Sequence, residues 1–453
     1  MTTVRGTDRP IRTLRPPAGW PFVALFAGYP LWWALGLGQF AFWVFAVPMA
    51  IELLRRHRAG GIRVPPGFGL WALFLLWSVA GLALVGLTPT GTMPGSGGLL
   101  GALVRLGCYL AVTVLLLYVG NLSRDELSDL RVARALGWLC LATVAGGVLG
   151  TVAPYFEFTA PLERLLPGAL AADPYVQALL HPAAAQVMDV LGYEAPRPKA
   201  PWEYTNSWGN NLSLLLVWLV VGWIRFGSGW RRGAATVAIC LAAVPVVYSL
   251  NRGLWVGLAL SFGFLLYQLV RRRKTAAAML CGTAALVAAV ALLFSPLMAI
   301  IEQRAAHPHS DDGRATASAA AVRAAGESPV AGWGATRELR GGGDSIAIGR
   351  TPDCPQCGNT TIGNNGQLWL LLVANGWVGT ALFVAFFAQA AWRYRGDPSP
   401  IGAGALLTVL LLFWYMLCYV ALTAPLAITL TAVALLWRRA AERAGAAAEP
   451  VRV

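Results

Sequence analysis

Within the apolar stretch VPVVYSLNRGLWVGLALSFG, residues 244 to 263, a single arginine, Arg252, stands between Asn251 and Gly253. A charge at membrane depth costs from ~2.5 kcal/mol on insertion scales to ~10 kcal/mol or more on an isolated helix, so it needs a partner or a task. No acidic residue occurs between Glu203 and Glu302, which leaves a partner remote in sequence or an anionic ligand. A guanidinium offers a planar fork that pairs bidentately with phosphate oxygens, and Gly253 permits close backbone approach. The competing reading is an arginine that snorkels to the interface at a helix turn.

Other residues with chemical potential cluster at three places. Arg314, in HSDDGRATASAAAVRAAGESPVAGWG, opens a predicted helix on the same side of the membrane as Arg252, and Arg323 follows nine residues later on a different face, where it could equally pair with Glu327. The stretch PRPKAPWEYTNSWGNN, 196 to 211, concentrates Arg197, Lys199, Glu203, Tyr204, Asn206 and Trp208 at a predicted water boundary. Such a set anchors a helix at the interface, but Asn206, Asn210 and Asn211 stand where a plain span is apolar and suit hydrogen bonding to a sugar. Arg105, in LLGALVRLGCYL, either snorkels or lines a site. His307, His309, Asp311 and Asp312 lie within metal-ligand reach of one another in AHPHSDD, but zinc sites need three or four convergent ligands, so no metal site is assigned. Cys354 and Cys357, in PDCPQCGN, form a single pair on the predicted oxidising side, which favours a loop disulfide over a zinc half-site. The other five cysteines lie in apolar runs, as small hydrophobes.

These residues must be positioned by a membrane scaffold. The chain has 453 residues, 57% hydrophobic and only 12% charged, with a mean hydropathy of +0.60, whereas soluble domains carry roughly a quarter charged residues. Twelve segments are apolar enough to be candidate spans, at about 19 to 36, 38 to 54, 68 to 87, 99 to 120, 134 to 153, 205 to 224, 234 to 250, 254 to 270, 275 to 295, 367 to 391, 401 to 419 and 421 to 437. The expected fold is therefore an all-α polytopic membrane protein. Most of the 35 basic residues, in RRHRAGGIR, SRDELSDLRVAR, RFGSGWRR, RRRK, WRYR, RRAAER and the two tails, then fall on one face. The positive-inside bias makes that face cytoplasmic, together with a basic tail at 1 to 18 and a second tail at 438 to 453. The formal charge of +14 is thus a topology signal, and no nucleic-acid partner is inferred from it. Residues 19 to 437 form one transmembrane domain with two long extracytoplasmic loops, about 154 to 204 and 296 to 366, expected to hold short amphipathic helices. Lysine occurs only at Lys199 and Lys274, a bias typical of GC-rich bacterial genomes, and the location expected is a bacterial plasma membrane.

The order of SLNRGLW, a long loop with GRATASAAAV and SPVAGWG, and NNGQLWLLLVANGWVG opening the tenth span resembles the O-antigen ligase and polymerase family of membrane glycosyltransferases, of the GT-C class. Asn251, Arg252 and Gly253 match its Ser-Arg-Gly motif; Arg314, Pro329, Gly332 and Gly334 match its loop motif; Gly376 and Gly379 match its last motif; and Asn206 matches an asparagine in its sixth-span segment. The resemblance covers about residues 100 to 420. It implies transfer of a glycan from a polyprenyl diphosphate carrier to a cell-envelope acceptor (glycan, lipid or other hydroxyl or anionic group) on the outer face, without a metal or other cofactor. Arg252 and Arg314 would hold the diphosphate, with Arg105, Arg197, Lys199, Glu203, Tyr204, Asn206, Trp208, Arg323 and Gln367 as further substrate contacts.

The chain departs from the family where Asn365 occupies its histidine position and Ala374 that of its mid-helix acid. An amide orients a hydroxyl but cannot take its proton. The base is then Asp344, Glu327, Glu203 or His309, or the acceptor is already anionic, or catalysis is lost. The alternatives to a ligase are a polysaccharide polymerase of the same family and a transporter or flippase of lipid-linked glycans, though no internal repeat of the transporter kind is evident.

Overall fold

The computed structural model describes residues 17–168, 174–189, 193–306, 309–339 and 361–448. Nine helices among them are long and apolar enough to cross a membrane, which makes this a polytopic helical membrane protein. They are α3 (Ala41–Gly60, entered through a 3-10 turn), α5 (Leu99–Asn121), α6 (Asp129–Val152), α8 (Thr205–Leu219, continued to Arg225), α9 (Trp230–Tyr248), α10 (Arg252–Arg271), α11 (Thr275–Leu293), α14 (Gln367–Tyr394) and α16 (Ala424–Ala448). Each overlaps an apolar segment of the sequence, although α16 runs eleven residues past the end of its segment, 421 to 437.

The other three of the twelve segments are also helical but shorter. Residues 19 to 36 do not form one span: the helix breaks at Gly28 into α1 (Trp20–Ala27) and α2 (Tyr29–Ala34). Pro30 accounts for the break, since it lacks the amide and its ring clashes with the carbonyl four residues back. The remaining two are α4 (Phe68–Gly81), extended by a 3-10 turn, and α15 (Pro400–Tyr415).

The core lies along α16, where residues from Leu426 to Leu436 are almost fully buried. Around it α5 packs against α3 and α16, α6 against α8 and α9, α4 against α14, and α15 against α16. One end of the bundle is tied by charge. Asp129, at the first turn of α6 and only 5% exposed, accepts from Arg438 at 2.6 Å and Arg439 at 2.7 Å, and Arg439 reaches on to Asp397 at 2.8 Å. Arg124 joins Asp129 at 3.5 Å and Glu442 at 2.5 Å, while Arg56 bridges Glu52 and Glu126. Breaking a buried pair leaves the other charge uncompensated. Asp129→Ala should therefore lower stability by about 3 kcal/mol or more, read as a fall in melting temperature in detergent. Arg55→Ala, at a side chain 72% exposed beside Glu52, should shift it by about 0.5 kcal/mol at most.

The two loop regions differ from the sequence expectation in kind. In the first, a 3-10 turn (Glu163–Leu165) and α7 (Pro174–Leu180) are short helices as expected, but the chain beyond forms an antiparallel hairpin of β1 (Ala185–Asp189) and β2 (Glu194–Pro198), with Gln186 opposite Arg197. Pro182 follows the end of α7 by two residues and cannot extend it. In the second, α12 (Pro296–Ala306) precedes α13 (His309–Glu327), which begins five residues ahead of Arg314. Two short strands, β3 (Arg337–Glu338) and β4 (Thr361–Ile362), pair antiparallel.

Candidate functional site

At the bundle end opposite the Asp129 cluster, four elements converge on one set of arginines. The β1–β2 hairpin turns Arg197 inward, where it is 5% exposed and donates from Nε to the Ser249 carbonyl at 2.6 Å. Arg304, near the end of α12, is equally buried. Arg314, on the first half of α13, donates to the Cys418 carbonyl at 3.1 Å. Burial, and then the positive fields of Arg304 and Arg314 acting against the favourable influence of Tyr419, push the Arg197 guanidinium down to about 10. Guanidiniums that repel one another in a buried setting form a seat suited to an anion of more than one charge.

The floor of this seat is the start of α10. Asn251 caps the helix, its Oδ1 accepting from the Leu254 amide at 3.3 Å, and Arg252 is its first residue, half-buried. The first amides of a 20-residue helix are unsatisfied within it and favour negative charge. The Asn251 side chain is 3% exposed and lies against Gly209 of α8. Its Nδ2 has no hydrogen-bond partner among the described residues, so a buried donor remains for a ligand or water.

The sequence motifs that flank the seat are brought into direct contact. Asn365 donates from Nδ2 to the Arg314 carbonyl at 3.1 Å, which fixes the start of α14 to α13. Helix α14 breaks inside the membrane segment at Gly376, whose φ is 63° and ψ −169°. The loop 328 to 334 docks on that break: the Trp333 and Gly334 amides donate to the Val373 and Ala374 carbonyls at 2.8 and 2.9 Å, and the Trp377 amide donates to the Pro329 carbonyl at 2.7 Å. Buried alanines of α13, at 317, 320, 321, 324 and 325, let that helix lie close to α14, and the Trp333 indole donates to the Ala324 carbonyl at 2.8 Å. The small-residue pattern of both motifs is thus what close packing requires.

Several other sequence candidates stand elsewhere or have structural work. Arg323 is exposed, half a helical turn around α13 from Arg314, and is not brought to the seat. Trp208 is not at a water boundary: it is fully buried, with its indole donating to the Thr143 carbonyl at 2.9 Å. Gln367 is fully buried as well, donating to the Tyr109 hydroxyl at 2.9 Å and accepting from the Ala421 amide at 3.0 Å, so its amide is a strut between α5, α14 and the 416–423 turn. Glu203 and Lys199 share a separate neighbourhood beside Tyr29 and Gln39; burial raises the Glu203 carboxyl above its ordinary range and lowers the Lys199 amine, against the pull of Glu203 and Glu157. Tyr204 and Asn206 are half-buried at the start of α8. Deeper in that helix Asn210 and Asn211 are 1% exposed, each with an Oδ1 unpartnered among the described residues. Glu327 accepts from the Thr90 amide at 2.9 Å as a loop staple. Arg105 is half-buried on α5 and stands near enough to Arg337 to act on it: burial first, then Arg105, lowers the Arg337 guanidinium. His307, Asp344, Cys354 and Cys357, and the side chains of His309, Asp311 and Asp312, lie outside the described residues.

Sequence reading missed three residues. Arg304 closes PLMAIIEQR and reads as a charge at the edge of an apolar run. Tyr419 reads as an aromatic at the end of a span, yet its hydroxyl lies against Gly253. Arg337, 1% exposed, spends its donors on the carbonyls of Val85, Leu87, Trp333, Ala335 and Thr336, which holds the 333–339 segment in place. Neither protein-family models, nor characterised proteins, nor solved structures show a significant match to the chain.

Proposed function

We propose that the chain is a membrane glycosyltransferase of the O-antigen ligase type, which moves a glycan from a polyprenyl diphosphate carrier to an acceptor at the outer face of a bacterial plasma membrane. The observation that supports it best is the gathering of Arg197, Arg304 and Arg314 above the first turn of α10. In this reading both chain termini and the Asp129 cluster are cytoplasmic and the arginine seat is extracytoplasmic. Transfer forms a bond from an acceptor oxygen to the anomeric carbon and breaks the bond from that carbon to the phosphate oxygen. The electron pair leaves on the diphosphate, and fixed guanidiniums stabilise the charge as it develops. Asn365 orients the acceptor hydroxyl, and the proton leaves to solvent or to a group beyond the described residues. No metal enters the scheme.

The test is carrier release. Purified protein in detergent, given a lipid-linked oligosaccharide and a cell-envelope acceptor extract, should liberate free polyprenyl diphosphate, and Arg252→Ala should not. Release by neither protein across several donors and acceptors would sink the assignment, and uptake of the lipid-linked glycan into vesicles would move it to a flippase.

A further inference from the structure

We infer that the Tyr419 hydroxyl is a ligand of the anion that the arginines hold, a neutral donor that gives the charged seat its direction. The inference rests on the anion-binding part of the reading above and not on glycosyl transfer itself.

Tyr419 lies in the turn between α15 and α16, and its main chain is pinned: its amide donates to the Tyr415 carbonyl at 2.7 Å, and its carbonyl accepts from the Gln367 amide at 2.8 Å. The ring crosses to α10 and sets its oxygen on the helix's first turn. A β-carbon at Gly253 would lie 2.3 Å from that oxygen, so glycine is what admits it. Arg314 donates to the carbonyl of the neighbouring Cys418 at 3.1 Å, and Arg314 and Arg197 both act on the phenol through space. A phenol is both donor and acceptor. The Leu254 amide beside it is held by Asn251 Oδ1, so the hydroxyl can donate, and the group best placed to accept is an anion seated between the two guanidiniums.

The same construction recurs one turn deeper, where it has no access to the seat. Tyr415 stacks on Tyr419 with ring centroids 5.4 Å apart, and a β-carbon at Gly257 would lie 1.9 Å from the Tyr415 oxygen. Two glycines four residues apart on α10 thus receive two tyrosines four residues apart on the facing segment. Deleting either oxygen changes packing to a similar degree, but only the Tyr419 oxygen stands among the arginines.

The full chain in detergent, titrated by calorimetry with inorganic pyrophosphate and separately with farnesyl diphosphate, tests this. Tyr419→Phe should weaken binding roughly tenfold or more, the size of a hydrogen bond to a charged group, while Tyr415→Phe binds like wild type. Gly253→Ala, which drives the hydroxyl off its place, should weaken binding in the same direction. If only farnesyl diphosphate binds, the seat belongs to a lipid-linked diphosphate, and the same loss in Tyr419→Phe on that probe supports the inference. Wild-type affinity in Tyr419→Phe, or an equal loss in Tyr415→Phe, would overturn it. So would an absence of binding by wild type to both probes, and carrier release by the same preparation would then show whether transfer stands without this seat.

Discussion

Arg314→Ala should cut carrier release at least a hundredfold while the protein continues to accumulate and purify as wild type does. Removing one preorganised donor to a developing anion costs ~10² to 10³ in rate at comparable sites, and Arg314 also contributes charge that Arg197 and Tyr419 feel. What the substitution removes from the fold is small: one hydrogen bond from the guanidinium to the Cys418 carbonyl. The contact with Asn365 uses the Arg314 carbonyl and survives. Arg323→Ala is the matched control, an arginine on the same helix that points to solvent, and it should leave release unchanged. Equal activity in the two variants would remove α13 from the site.

Gly376→Ala should be the most damaging single substitution to the fold. The backbone there has φ 63° and ψ −169°, a region open essentially to glycine alone. Space is lacking as well as conformation: a β-carbon would lie 2.6 Å from the Val330 oxygen and 2.8 Å from both the Gly332 nitrogen and the Pro329 oxygen. These are backbone atoms that cannot rotate away. The loop would have to leave, which uncovers the Val373 and Ala374 carbonyls and the Trp377 amide in a setting with little water to replace them. Each such group costs several kcal/mol within a bilayer. The expected result is little monodisperse protein after solubilisation, against a normal yield for Gly396→Ala, where a β-carbon meets nothing within 4 Å. Normal yield from Gly376→Ala would mean that loop and helix are not docked as described.

The spans were legible because hydrophobicity is a local property: α10, α11 and α14 begin and end within a few residues of their apolar segments. So was the place of Arg252 at a helix start, since a guanidinium in a greasy run stands out in any reading. Arg197 was legible only as one of several polar residues near a water boundary. What turned it inward is the β1–β2 hairpin, and the sequence AQVMD gave no periodicity strong enough to separate a strand from an amphipathic helix. Arg304 and Tyr419 carry no local signal, because each gains its meaning from residues more than a hundred positions away in the chain, Arg197 for the one and Gly253 for the other. Conversely Trp208, Gln367 and Arg323 have suggestive neighbours in sequence, but helix rotation decides whether a side chain meets the seat, the core or solvent.

The helix that links two walls of the site is itself almost free of protein. None of the α11 side chains is buried, and this helix joins α10, which begins at Arg252, to α12, which carries Arg304. Its 19 residues rise about 28 Å, against a hydrocarbon layer of ~30 Å. It is the least buried of the nine candidate spans, so along nearly its whole length its surface is left to lipid, and a bilayer of different thickness meets this helix directly, where tilt is the usual accommodation.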